Sequence, residues 1–240
     1  VVHALAREYS GNPDPYSRVK QDSIEMAKGI YPKLKDMVEE AGDSLYQAVK
    51  VSAVGNLLDA GVYGDLGLLD LQSWIEDELD KGFAYCDLKS LREELSDAET
   101  VVVIGDNAGE SVLDRILIWA IRRTIGEGKK TKVFYGVRSA PIINDVTFED
   151  AIASGLEDDA TIISTGCSEP GLVLEEATSE FLQIYKEADV VISKGQGNYE
   201  TLGDSARRPV YFLLKAKCMV IATDLGVNPG DYVLLHKTNR

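Results

Sequence analysis

Five short apolar runs in this 240-residue chain are followed directly by residues whose types could do chemistry. In chain order these residues are Asp106, Asn107, Arg138, Asn144, Asp145, Thr165, Lys194, Asn198, Glu200, Lys215 and Lys217. If the runs are strands of a parallel sheet, their carboxyl ends meet at one edge, which is where open α/β sheets bind ligands. We therefore expect carboxylates, carboxamides and lysines from separate segments to lie close together there.

Oxygen-donor side chains predict a hard divalent cation at this edge. Asp106, Asn107 and Asp145 offer two carboxylates and one carboxamide, which are ligands that Mg²⁺ and Mn²⁺ prefer. The chain has 2 histidines, one near each end, and 3 isolated cysteines without a CxxC pair. A histidine-based metal site, a structural zinc site or a Ser-His-Asp triad is therefore not expected.

A phosphate-binding site is predicted beside the metal ligands. The segment KGQGNYE supplies Lys194 together with the backbone N–H groups of Gly195 and Gly197. The helix predicted after Gly109 points its amino end to the same place, which favours an anion. A metal, a lysine and a helix amino end together suit a phosphate group.

The same residues also have purely structural interpretations. Asp106 could cap the helix that follows it, Asp145 could cap the next helix, and Asn198 could cap a short helix after a glycine-rich turn. Cys167 and Cys218 are interpreted as buried small residues, because no histidine lies near them. What favours the functional interpretation is that the three polar residues all follow predicted strands at the ligand edge.

Two halves of the chain differ in their sequence pattern. Residues 14–98 carry apolar residues at helical spacing, with Pro32 expected to kink or restart the first helix. From residue 99, β-branched runs alternate with helical segments, which indicates a mostly parallel sheet covered on both faces. The sequence thus predicts a three-layer α/β/α domain at 99–240 after an all-helical lobe at 1–98. The predicted strands are TVVVIG, KVFYGV, ATIIST, DVVISK, PVYFLLK, CMVIAT and DYVLLH.

Composition limits the classes of partner. The net charge is -15, from 25 basic and 40 acidic residues, which opposes binding to nucleic acid or to an anionic membrane surface. No apolar run is long enough to span a bilayer, and the isolated cysteines are typical of a reducing, cytoplasmic compartment. The chain begins at Val1 with a helix-like segment, so we expect its natural start to lie further upstream. The oligomeric state is left open.

Four motifs, in this order, resemble the family first catalogued as domain of unknown function 89: GDNAGE, PIINDVT, KGQGNYETL and FLLKAKC. Members of that family are known as damage-control phosphatases, and the compact archaeal type is the most similar. The segment GNLLDAG, with Asn56 and Asp59, resembles the family's helical-lobe motif. The resemblance extends from about Asn12 to the C-terminus. It implies a phosphatase for small, sugar-phosphate-like metabolites that depends on Mg²⁺, Mn²⁺, Co²⁺ or Ni²⁺.

The resemblance also implies roles for individual residues. Its metal ligands correspond to Asp106, Asn107 and Asp145. Its substrate-binding positions correspond to Glu110, Lys194, Asn198, Asn56 and Asp59. Positions near the predicted strand ends add Arg138, Gly195 and Glu200 to the predicted substrate site.

The predicted mechanism assigns separate roles to the metal, Lys194 and Glu110. The metal binds a phosphoryl oxygen and lowers the pKa of a bound water. Lys194 neutralises charge on the equatorial oxygens, with help from the N–H groups of Gly195 and Gly197. Glu110 orients or deprotonates the attacking water. Asp106 could instead be a covalent nucleophile, although an adjacent amide fits a pair of metal ligands better.

Two other classes of function are also open at this stage. A eukaryotic branch of the family has been proposed to methylate protein carboxylates with S-adenosylmethionine, and a glycine-rich loop after the first strand would favour that reaction. The chain offers only Gly105 and Gly109 there. A metabolite-binding module without catalysis is the third possibility. Related archaeal chains begin with a cysteine-pair segment, which we expect to lie upstream of Val1 in this protein.

Overall fold

A single mixed sheet organises the fold. The computed structural model of the chain describes residues 5, 9–58, 68–126 and 128–238. The strands within these residues are β1 (Tyr85–Cys86), β2 (Thr100–Ile104), β3 (Lys132–Val137), β4 (Thr161–Ser164), β5 (Val190–Lys194), β6 (Val210–Lys215) and β7 (Tyr232–Lys237). Their order in the sheet is β1-β7-β6-β5-β2-β3-β4. Neighbouring strands are parallel except β6 and β7, which are antiparallel.

Helices cover both faces of this sheet. Within the described residues they are α1 (Ser17–Glu40), α2 (Ser44–Val54), α3 (Leu68–Asp80), α4 (Leu88–Leu95), α5 (Glu110–Ile125), α6 (Phe148–Ser154), α7 (Ser179–Glu187), α8 (Gln196–Leu202) and α9 (Met219–Leu225). Two short 3₁₀ helices span Gly55–Leu58 and Leu156–Asp158. In the described part of the chain, none of the helices combines the length and apolar character needed to cross a membrane.

Strand β2 is buried on both faces, which explains its unbroken apolar run. Val101 and Val103 join a core cluster that includes residues of α1, α2, α4 and α5. Val102 and Ile104 join a second cluster with residues of α7, α8 and α9. Burial of each such side chain stabilises the fold by about 1.5–3 kcal/mol. The predicted three-layer α/β/α architecture is therefore confirmed, with β2 as an interior strand between β5 and β3.

One predicted strand is wrong. The run CMVIAT at 218–223 forms helix α9 instead of a strand. A short apolar run does not distinguish a strand from a helix by its periodicity. Cys218 is the N-cap of α9, and Gly226, in the left-handed conformation at φ 68°, ends the helix. Cys218 is also exposed, contrary to the prediction, whereas Cys167 is buried as predicted.

The N-terminal half departs from the predicted pattern in two places. The two-residue strand β1 lies in the half predicted to be all-helical, and it pairs with Val233 and Leu234 of β7. Helix α1 continues through Pro32, so the predicted restart is wrong, whereas a kink at Pro32 stays a prediction. The division at residue 98 stays a prediction. One core cluster contains residues from both sides of it, because α2 packs directly on α5.

Candidate metal and phosphate site

The loops that follow β2 and β3 are joined at the carboxyl edge of the sheet. The backbone N–H of Val146 donates to the carbonyl of Asp106 at 2.8 Å. Asn107 and Asp145 form an isolated antiparallel bridge. The backbone therefore brings the three predicted metal ligands, which come from two separate segments, to one place.

A third segment approaches these ligands through a glycine. Gly195, which follows β5, has φ +79°, and a Cβ atom at this position would lie 1.9 Å from Asp106 Oδ2. Any side chain here would collide with the carboxylate, and the positive φ also favours glycine. The turn from β5 into α8 is therefore in van der Waals contact with the Asp106 carboxylate.

Asp106, Asp145 and Asn198 do not cap the helices that follow them. The N-cap residues are Gly109 before α5, Thr147 before α6 and Gly195 before α8. Thr147 caps α6 through its own side chain, and Asn198 lies inside α8. The structural interpretations of these three residues are therefore wrong, and their positions at the sheet edge need another explanation.

Two carboxamides bridge the carboxylates of the site. Asn107 Nδ2 donates to Asp106 Oδ2 at 3.2 Å and to Glu110 Oε1 at 2.7 Å. Asn56 Nδ2 donates to Asp106 Oδ2 at 3.2 Å and also to Glu110 Oε1. Glu110 is the first residue of α5, and Asn56 lies in the 3₁₀ turn after α2. The N-terminal helices therefore contribute directly to the site through Asn56, whose contact with a substrate stays a prediction; Asp59 lies outside the described residues.

Lys194 is directed into the protein and not toward solvent. Its side chain is 1% exposed, and its ammonium donates to Asp114 Oδ1 at 2.6 Å, Glu110 Oε2 at 3.0 Å and the Ser52 carbonyl at 3.1 Å. Burial alone would lower the pKa of Lys194, but the two carboxylates raise it well above its usual value. An ammonium has three N–H groups, and all three have acceptors here. The predicted contact between Lys194 and a phosphate stays a prediction. It would require one N–H group of Lys194 to exchange its acceptor in the protein for a phosphate oxygen.

Asp114 belongs to this network but was missed at the level of sequence. It is 0% exposed, and it accepts from Ser52 Oγ at 2.5 Å and from Tyr135 OH at 2.7 Å as well as from Lys194. The available signal was its place four residues after Glu110 on the buried face of α5. A carboxylate among apolar neighbours on a helix is a buried charge that needs partners.

Arg138 and Asn198 support the site through hydrogen bonds. Arg138 is 1% exposed and donates from Nε to Asp145 Oδ2 at 2.8 Å and from Nη2 to Asn198 Oδ1 at 2.9 Å. Asn198 Nδ2 donates to the carbonyls of Gly105 and Lys194. The predicted roles of both residues in substrate binding stay predictions. Glu200 is exposed on α8, where it accepts from Gln196 Nε2 at 2.7 Å, and the described contacts do not join it to this group.

The buried ionisable groups carry surplus negative charge. Within the site, the buried carboxylates are Asp106, Glu110, Asp114 and Asp145, and the buried cations are Lys194 and Arg138. Four negative and two positive charges leave about two negative charges in a buried region, which is costly without a counterion. Burial, then Glu110 and Asp145, raise the pKa of Asp106 well above its usual range, whereas Lys217 and Arg138 act in the opposite direction.

A divalent cation fits this excess of charge. Its binding would offset the surplus, and the donor atoms are the hard oxygens that Mg²⁺ and Mn²⁺ prefer. In the described part of the chain, no three histidine, cysteine, aspartate or glutamate side chains converge on a metal position. The predicted ligand set therefore depends on the Asn107 carboxamide as its third member, together with Asp106 and Asp145.

Comparison with known proteins agrees with the resemblance noted in the sequence. Residues 1–233 match the family described as the damage-control phosphatase ARMT1-like domain. A damage-control phosphatase of Archaeoglobus fulgidus is 36% identical over 234 residues, which cover 97% of this chain and 79% of that protein. One of Pyrococcus horikoshii is 37% identical over 229 residues, covering 95% and 76% of the two chains.

A solved structure supports the same assignment. The crystal structure of a DUF89 family protein from Pyrococcus horikoshii is 36% identical and superposes with a TM-score of 0.84. The match covers 98% of this chain and 79% of that chain. In sequence and in fold, this chain belongs to the damage-control phosphatase ARMT1-like domain family.

Proposed function

We propose that the chain is a metal-dependent phosphatase that hydrolyses small phosphorylated metabolites. The observation that carries this proposal is the buried group of carboxylates and amides at the carboxyl edge of β2, whose surplus negative charge suits a divalent cation. Family membership supports the reaction class, because relatives that cover most of this chain are named damage-control phosphatases.

Asp106, Asn107 and Asp145 would hold the divalent metal, which is Mg²⁺, Mn²⁺, Co²⁺ or Ni²⁺. When bound, such a metal supplies Lewis-acid polarisation of a phosphoryl oxygen and lowers the pKa of a coordinated water. Arg138 holds the Asp145 carboxylate through its Nε–H, and the Asn56 amide holds the Asp106 carboxylate. Both ligands are thus fixed by other side chains before metal binds, which limits the reorganisation that binding requires.

Glu110 is the residue best placed to accept the proton of the attacking water. Its Oε1 accepts from Asn56 and Asn107 and its Oε2 accepts from Lys194, so the carboxylate is held firmly beside the metal ligands. Burial raises the pKa of Glu110, although Lys194 opposes this shift. A carboxylate with a raised pKa is a stronger base, which suits removal of a proton from water as the P–O bond forms.

A small metabolite would bind between the N-terminal helices and the sheet, where Asn56 meets Asp106 and Glu110. Asn56, and Asp59 by the resemblance to the family motif, would contact the hydroxyl groups of the substrate. The carboxyl methyltransferase alternative gains no support from the loop after β2. A Cβ atom at Gly105 would lie 2.7 Å from the Tyr135 ring, so packing against that ring requires this glycine.

A screen of phosphorylated metabolites tests the proposal. Phosphate release would be measured with each of the four divalent metals and again with excess chelator. We expect turnover of at least one small phosphate ester with metal and its loss with chelator. Absence of phosphate release at every metal loading would contradict the proposed reaction.

A further inference from the structure

A cleft of about 470 Å³ lies at the edge of the sheet opposite the candidate site. Its lining comes from the last turns of α7 and from the segment that leads into β6. Because α7 precedes β5 and this segment precedes Val210, the cleft is at the amino ends of the strands. The candidate site lies at their carboxyl ends, so the two places share no residue.

Part of the lining of this cleft is apolar. Leu174, Tyr185 and Ala206 are buried residues that line it, and α7 adds the half-buried Leu182. The Tyr185 hydroxyl donates to the Ala206 carbonyl at 2.7 Å, which ties α7 to the segment before β6. A largely apolar cleft of this volume is typical of sites for small molecules. It therefore suits a ligand with an apolar body.

The other lining residues are the cations Lys186, Arg207 and Arg208. Among the described residues, those that line the cleft include no carboxylate, although the whole chain carries a net charge of -15. Arg208 donates to the backbone carbonyls of Tyr185 at 2.5 Å and of Lys186 at 3.2 Å, which are neutral acceptors. Burial lowers the pKa of Arg208, and an anion in the cleft would offset the cost of that burial. The charges of the lining therefore favour an anionic ligand.

Arg207 adopts a backbone conformation that favours glycine. Its φ is +57°, in the left-handed region where a residue with a side chain is strained. Its guanidinium pairs with Glu175 at 2.8 Å, but both side chains are largely exposed, and such a pair stabilises a fold little. Stability therefore does not explain an arginine at this position, whereas a cation beside an apolar cleft does.

We propose that this cleft binds a small organic anion with an apolar body and a carboxylate head group. The apolar lining would take the body, and Arg207 and Arg208 would donate charge-assisted hydrogen bonds to the carboxylate. Binding is non-covalent. The inference goes beyond the proposed phosphatase function, because it concerns the opposite edge of the sheet.

Calorimetric titration with octanoate, an aliphatic carboxylate, tests the inference. Arg207→Gly removes a cation and relieves the backbone, so it should bind octanoate roughly tenfold more weakly while its melting temperature is unchanged or raised. Arg207→Lys keeps the charge and should keep most of the affinity. Lys89→Ala removes an exposed cation of α4 and should bind octanoate like the wild type.

Equal octanoate affinity in Arg207→Gly and Lys89→Ala would overturn the inference, as would absence of binding by the wild type. Equal affinity for octyltrimethylammonium, a cation with the same chain, would also overturn it. Octanoate should bind Asp106→Ala as it binds the wild type, since Asp106 lies at the other edge. Loss of binding in Asp106→Ala would place octanoate in the candidate site and overturn the inference. None of these measurements uses hydrolysis, so failure of the proposed function would leave them unchanged.

Discussion

Two buried lysines occupy similar environments in this molecule, and only one of them belongs to the candidate site. Lys20 of α1 is 2% exposed and pairs with Asp14 and Asp150, each at 2.7 Å. Asp150 also accepts from the backbone N–H and the hydroxyl of Thr147, where it completes the cap of α6. This cluster joins α1 to α6, and its two carboxylates share one lysine, with Asp14 partly exposed to solvent.

The cluster around Lys194 also has one lysine between two carboxylates, but its hydrogen bonds extend to Asp106. Lys194 pairs with Glu110 and Asp114, and Glu110 in turn shares amide donors with Asp106. Glu110 and Asp145 repel the Asp106 carboxylate. Among the described residues of the site, the buried cations do not offset this surplus of negative charge. The comparison shows that a buried lysine between carboxylates is not itself a sign of function. What distinguishes the two clusters is the surplus of buried negative charge next to Lys194.

The largest expected effect follows from removal of Asp106. Asp106→Ala should lower kcat by about 10³-fold or more, because several kcal/mol of metal assistance are lost at about 1.4 kcal/mol per factor of ten. The variant should stay folded, since it relieves repulsion in the metal-free protein. Phosphate release and the metal-induced rise in melting temperature would both be measured, with the exposed Asp204→Ala as control. A metal-induced rise that persists in Asp106→Ala would contradict the ligand assignment.

The two lysines themselves provide the next test. Lys20→Met and Lys194→Met should each destabilise the fold by about 3–5 kcal/mol, because each leaves buried carboxylates without their cation. At a temperature where both variants are folded, Lys20→Met should keep the kcat of the wild type. Lys194→Met should lose most of its kcat, since Glu110 is no longer positioned. Urea unfolding and steady-state kinetics would be measured on the same preparations.

An equal loss of kcat in Lys20→Met and Lys194→Met would remove the distinction between a structural and a functional cluster. An unchanged kcat in Lys194→Met would show that Glu110 keeps its position without the lysine.

The sequence predicted the site where local pattern and topology agree. Asp106 and Asn107 directly follow an apolar run, and the rule that ligands bind at the carboxyl ends of strands placed them at the correct edge. The closeness of Gly195 to Asp106 follows from the same rule, because β5 is the neighbour of β2. What these residues bind is not tested by the structure and stays a prediction.

The sequence did not predict the networks behind the site. Asp114 receives its donors from Ser52, Tyr135 and Lys194, which lie on three other elements and share no local pattern with it. The direction of a buried lysine likewise depends on acceptors that only the tertiary fold brings near. Lys194 therefore looked in the sequence like a phosphate ligand, although in the fold its ammonium is directed at Asp114.

A double variant measures how tightly the Lys194 cluster is coupled. Lys194→Met leaves Asp114 buried without its cation, and Asp114→Asn removes that unpaired charge. The double variant should therefore be more stable than the sum of the two single changes predicts, by about 1–3 kcal/mol. Unfolding free energies of the wild type, both single variants and the double variant give this value. Strict additivity would show that the 2.6 Å contact contributes no coupling.

The smallest expected effect is a change of stability at alkaline pH. It compares two buried lysines, Lys20 and Lys50, whose pKa values are shifted in opposite directions. Burial lowers the pKa of Lys20, but hydrogen bonds to Asp14 and Asp150 outweigh this, so the net shift is upward from about 10.5. For Lys50, burial lowers the pKa and the charge of Asp80 only partly opposes it, so the net shift is downward from about 10.5. The two lysines should therefore change stability in opposite directions as they titrate.

A group whose pKa is raised in the folded state stabilises it when protonated, and this contribution is lost as pH rises from about 10.5 through the folded value. The stability of the wild type relative to Lys20→Met should thus be constant near neutral pH and should fall above about 10.5. For Lys50 the unfolded chain holds the proton more tightly, so wild-type stability relative to Lys50→Met should rise with pH in the window just below about 10.5. Unfolding free energies at a series of pH values measure both differences, and titrations common to each pair cancel. If both differences changed in the same direction, the carboxylates around Lys20 would not set its pKa. The comparison of the Lys20 cluster with the Lys194 cluster would then no longer hold.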